Sequence, residues 1–88
     1  MLASSEVVVT LPGDVDLHAR PAAQFVRTAV GFRSSIEVHA DGRVADGKSL
    51  LAILALGARA GTPLTLTASG DDAPLALDAL RDCVAALG

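Results

Sequence analysis

Hydrophobic residues along the chain change period several times, and each change marks an element. Val7, Val9 and Leu11 alternate with Glu6, Val8 and Thr10, which predicts a strand over residues 6–11 with one buried face, after five loose residues. Pro12, Gly13 and Asp14 break it. From Ala22 the period becomes 3.6: Ala22, Phe25, Val26, Ala29 and Val30 line one stripe of an amphipathic helix that stops at Gly31. Alternation returns at Ile36, Val38 and Ala40 against Glu37 and His39. Asp41-Gly42 then reads as a two-residue hairpin turn into a short strand over residues 43–46. Ser49 is a natural N-cap for a short helix over residues 50–56 that Gly57 closes.

Residues 58–62 make a linking turn, and Leu64, Leu66 and Ala68 alternate with Thr65 and Thr67 in a fourth strand over residues 63–69. Asp72 is expected to cap a last helix with Pro74 in its first turn. Ala73, Leu77, Leu80, Val84 and Leu87 are its buried stripe, and Asp78, Arg81 and Asp82 face water. The order is β-α-β-β-α-β-α. Four one-faced strands and two one-striped helices pack most economically as an α+β open-faced two-layer sandwich, with the three helices on one face.

Composition narrows the function. With 88 residues and 51% hydrophobic content, residues 1–88 are expected to form one small domain with a real core. At the usual range per residue its net stability is roughly 4 to 13 kcal/mol. A formal charge of −3, no basic run, and neither Trp nor Tyr argue against nucleic acid or anionic membrane as partners. The apolar runs are too short to span a bilayer and no basic-then-apolar leader opens the chain, so a cytoplasmic protein is expected. Cys83 is the only cysteine, which excludes an internal disulfide and a zinc spacing; it reads as a small buried hydrophobe. His39 falls out of phase with the core face and reads as a surface residue. No metal site or cofactor is expected.

The chemistry concentrates at Leu17-His18-Ala19-Arg20-Pro21-Ala22. A proline is tolerated in a first helical turn, where its missing N–H had no intrahelical partner, so His18 lies at the N-cap. The first N–H groups of a helix, here those of Ala19 and Arg20, point outward unpaired at its positive end and receive anions such as phosphate. Arg20 adds a planar donor fork, and a neutral imidazole is a competent nucleophile. Together they make a phosphoryl-acceptor constellation. The alternative is a packing histidine beside a solvated arginine.

The short helix over residues 50–56 is apolar all round, and one this small cannot bury every face. Some of Leu50, Leu51 and Leu54 should therefore form an exposed docking patch.

The stretch 17–22 resembles the phosphorylation-site signature of HPr, the histidine-containing phosphocarrier of the phosphoenolpyruvate-dependent sugar phosphotransferase system. A second block, Lys48-Ser49-Leu50-Leu51 through Ala55-Leu56-Gly57, is similar to the family's regulatory-serine segment at the expected distance. The resemblance implies an antiparallel sheet of strand order 1-4-2-3. It also implies transfer of a phosphoryl group from phosphorylated enzyme I to His18 Nδ1 and onward to sugar-specific IIA components. Docking then falls to Leu50, Leu51, Leu54, Arg27 and Lys48, and in some lineages an HPr kinase/phosphorylase modifies Ser49. Asp16 stands where the family usually has glycine, and Val30 and Ala52 occupy positions often basic in relatives. A carboxylate two residues from His18 is expected to favour the imidazolium and to slow phosphorylation, unless it serves only the turn.

Two other readings carry different partners. One is a specialised relative, from a nitrogen branch or a dihydroxyacetone kinase system, with the same chemistry. The other is a non-phosphorylated adaptor that binds a protein through the leucine patch. An independent hydrolase is disfavoured, since the chain has no second acid/base group placed by motif and no Walker-type loop.

Overall fold

In the computed structural model, which describes residues 4–87, the elements follow the predicted order. They are β1 (Ser4–Thr10), α1 (Ala19–Ala29), β2 (Ser35–Ala40), β3 (Arg43–Asp46), α2 (Leu50–Leu56), β4 (Pro63–Ser69) and α3 (Ala73–Ala85). The strands form one antiparallel sheet in the order β1-β4-β2-β3. Register follows from the period-2 pattern: Val7 lies opposite Leu66, Leu66 opposite Val38, and Val38 opposite Ala45. This row faces the helices, and a slip of one residue would turn it to water. Val8, on the other face of β1, is exposed.

Helix α1 contributes Ala22, Phe25 and Ala29 to the core, α2 contributes Ile53 and Leu56, and α3 contributes Ala73, Ala76, Leu77, Leu80 and Val84. Asp41 at φ 52 and Gly42 at φ 76 make the β2–β3 turn. Both central residues are left-handed there, which Asp and Gly tolerate best.

Several expectations are corrected. Ser4 and Ser5 are not loose but belong to β1, because β4 runs on to Ser69 and offers Ser69 and Ala68 as pairing partners; residues 1–3 lie outside the described residues. Val30 is exposed and forms the C-cap of α1, since the helix turns its last residue away from the sheet. Cys83 is half-buried, at the margin of the α3 stripe.

Asp72 takes the N-cap position of α3, but its side chain caps nothing. The carboxylate instead reaches back to the start of β2, where it accepts from the N–H of Arg33 at 2.9 Å, the N–H of Ser34 at 2.9 Å, and the Ser34 hydroxyl. The clamp joins residues 38 and 39 positions apart and holds α3 on the sheet. The Ser34 hydroxyl first, then the Arg33 N–H, lower the Asp72 pKa from the ordinary 3.8 to about 2. A carboxyl whose pKa falls on folding adds stability above its unfolded value, and that stability is lost as pH falls through the folded value. The expected result is a wild-type urea midpoint that drops between about pH 4 and pH 2. Asp72→Asn should be less stable at neutral pH and flatter across that window, as read by fluorescence-independent circular dichroism titrations.

Candidate functional site

His18 is the N-cap of α1, with φ −96 and ψ −160, and its side chain makes no capping hydrogen bond. The ring is therefore free to face outward. Its backbone does the capping work: the His18 carbonyl accepts from the Ala22 N–H at 2.8 Å, and the His18 N–H donates to the Asp16 carbonyl at 2.9 Å. With Pro21 lacking an N–H, the first-turn donors left without an intrahelical acceptor are those of Ala19 and Arg20, beside an imidazole whose side chain is 64% exposed. Arg27 sits in the last turn of α1, where a cation complements the negative end of the helix.

Asp16 occupies the loop before the histidine. One carboxylate oxygen accepts from the Ala60 N–H at 2.6 Å, and the other lies 3.7 Å from His18 Nε2. That separation is a charge contact rather than a hydrogen bond. With the Asp16 side chain 46% exposed, water screens much of it. Asp16 thus serves the turn as a tether as well as facing the ring.

A cleft of about 270 Å³ opens beside His18 and is lined by Asp16, Leu54, Ala58 and Arg59 among others. Arg20 is not among its lining residues; it borders a separate cleft with Gln24, Ala86 and Leu87. The structure therefore brings Arg59, which the sequence reading passed over as part of a linking turn, into the cleft of the histidine. Nothing in local composition distinguishes a cation in a solvated turn from one folded against a site 41 positions away.

Ser49 caps α2 through its hydroxyl, which accepts from the Ala52 N–H at 3.2 Å, a contact of the kind that contributes about 0.5–2 kcal/mol. Leu51 is 80% exposed and Leu50 40% exposed, while Leu54 is half-buried against the core and reaches the His18 cleft. Lys48 is not free: its ammonium donates to the Phe32 carbonyl at 2.7 Å, which ties the α2 approach to the end of α1. His39 is half-buried, with Nε2 3.4 Å from Glu37 Oε1. Among the described residues no group of three His, Cys, Asp or Glu side chains could hold a metal ion, and no helix is long and apolar enough to cross a membrane.

Residues 4–86 match the family model described as the PTS HPr component phosphorylation site. A multiphosphoryl transfer protein of Xanthomonas campestris pv. campestris is 49% identical over 65 residues, 74% of this chain and 8% of that protein. A multiphosphoryl transfer protein of Salmonella typhimurium is 42% identical over 86 residues, 94% of this chain and 22% of that protein. The chain thus spans less than a quarter of the length of these relatives. Among solved structures, HPr-C-His from Thermoanaerobacter tengcongensis superposes with a TM-score of 0.87 at 41% identity, covering 92% of this chain and 91% of that one. The phosphocarrier protein HPr from Bacillus anthracis str. Ames superposes with a TM-score of 0.88 at 36% identity, covering 93% and 98%. With a family match over nearly its whole length and HPr structures that superpose on almost all of it, the chain belongs to the HPr phosphocarrier family of the phosphotransferase system.

Proposed function

We propose that the chain carries a phosphoryl group on His18, taking it from phosphorylated enzyme I and passing it to sugar-specific IIA components in the cytoplasm. The observation that carries this reading is an exposed imidazole at the N-cap of α1, free of any capping bond and beside the open N–H groups of Ala19 and Arg20. The resemblance to the family assigns the attack to Nδ1, with the proton of the neutral ring on Nε2. In the step, the Nδ1 pair attacks phosphorus in line as the bond from phosphorus to the donor atom breaks, its electron pair leaving with the donor. The Nε2 proton stays in place. Charge spreads over the three equatorial oxygens, where the helix N–H groups and the Arg20 fork supply donors once a partner closes the site. Onward transfer reverses the roles, so an exposed, lightly held phosphate suits a carrier.

Incubation with enzyme I, magnesium and phosphoenolpyruvate tests the reading by intact mass. One phosphate should be gained and acid should remove it, as a phosphoramidate requires; a protein of unchanged mass would overturn the proposal.

The exposed Leu50 and Leu51, on the helix whose Leu54 lines the His18 cleft, form the partner-docking surface together with Arg27. Because Leu51 packs against little in the free protein, Leu51→Ser should leave the unfolding midpoint unchanged. It should raise the KM of phosphoryl uptake about tenfold, the loss of one interface side chain. An unchanged KM would remove Leu51 from the surface. A phosphate on Ser49 would put about two negative charges beside Leu50 and Leu51 while leaving the helix start electrostatically satisfied, and so block docking without unfolding the chain.

A further inference from the structure

The wall of the His18 cleft opposite the helix is the turn after α2, and it is tied on both sides to residues preceding the histidine. The Leu17 N–H donates to the Ala58 carbonyl at 2.9 Å, and the Ala60 N–H donates to Asp16 at 2.6 Å. Arg59 is the residue between these two tethers. Its own carbonyl accepts from the Thr62 N–H at 3.0 Å, so the backbone that bears the guanidinium is held from three sides. Arg59 lines the cleft, whose other charged lining residue is Asp16.

This arrangement has a simple charge balance. Asp16 alone would make the cleft negative, 3.7 Å from the nitrogen-bearing ring, before an anionic phosphoryl group arrives. Arg59 makes it neutral and offers a planar donor fork suited to phosphate oxygens. Arg20 borders a different cleft, so it does not supply that compensation in the free protein. Resting on the carrier reading of His18, we propose that Arg59 is a second phosphate-recognition residue, held by the Asp16 tether and receiving the phosphoryl oxygens as they approach and occupy His18.

The test is steady-state phosphoryl uptake from enzyme I, magnesium and phosphoenolpyruvate by the full chain, with KM and kcat separated. Arg59→Ala should lower kcat/KM about tenfold, and Arg59→Lys, which restores the cation without the fork, should recover part of that loss. Asp16→Asn keeps an oxygen for the Ala60 N–H but removes the charge, so the double variant Asp16→Asn/Arg59→Ala should also recover rate. Wild-type kinetics in Arg59→Ala would overturn the proposal and leave the carrier reading standing. So would a slow Arg59→Ala that neither the lysine variant nor the double variant improves, which would mark a structural role. A wild-type chain that takes up no phosphate would overturn the carrier reading and the proposal together.

Discussion

His18→Ala is expected to gain no phosphate under conditions that convert the wild type fully, while its unfolding free energy in urea titrations stays within about 0.5 kcal/mol of wild type. Both halves follow from the N-cap geometry. The imidazole is exposed and makes no capping bond, so its removal opens no cavity and orphans no buried donor. The backbone bonds of this position, from the Ala22 N–H and to the Asp16 carbonyl, are kept by alanine. The function is lost because the other histidine, His39, lies in β2 on the face away from the helices. Its Nε2 is buried without a hydrogen-bond partner and has no helix N-terminus beside it. Intact-mass analysis reads the result directly. Phosphate on the alanine variant would assign the chemistry to another residue.

Gly70→Ala has the largest expected effect on stability, about 3 kcal/mol out of a total of roughly 4 to 13. Gly70 has φ +147, a conformation L side chains rarely adopt, and it lies at the end of β4 against the start of β2. A Cβ there would sit 2.8 Å from Ser34 Cα and 3.0 Å from Ser34 Cβ. Backbone must move to admit it, and the backbone that moves carries the N–H and hydroxyl that hold Asp72. Strain of about 1–3 kcal/mol is thus joined by weakened hydrogen bonds of roughly 1 kcal/mol each. Urea unfolding followed by far-ultraviolet circular dichroism measures the loss, and a change below about 1 kcal/mol would show that the strand ends adjust freely. Gly70→Ala and Asp72→Asn share Ser34, so their effects should combine to less than their sum.

Much of this was legible because local chemistry and the global fold agree. The strands over Arg43–Asp46 and Pro63–Ser69 and the helix over Leu50–Leu56 start and stop where alternation, the Asp41-Gly42 turn, the Ser49 cap and Gly57 predict. The misreadings fall where a long-range partner outbids a local one. Asp72 has the residue type and position of an N-cap, yet the Ser34 and Arg33 donors draw its carboxylate away. Ser4 and Ser5 have no apolar side chain to announce a strand, and only the length of β4 makes them one.

Properties that depend on residues close in the chain can be read without the fold. These are the succession of periods, the turn and cap chemistry, and a histidine placed at a helix start by the Ala19-Arg20-Pro21 that follows it. Tertiary structure decided which charges share a space. Arg20, two residues from His18, borders another cleft, whereas Arg59, 41 residues away, lines the one beside the imidazole. Sequence spacing sets direction only within one element, through the 3.6 and 2.0 residue periods. Between elements, direction is set by which backbone groups find partners, here the Leu17–Ala58 and Asp16–Ala60 bonds that draw one loop against another.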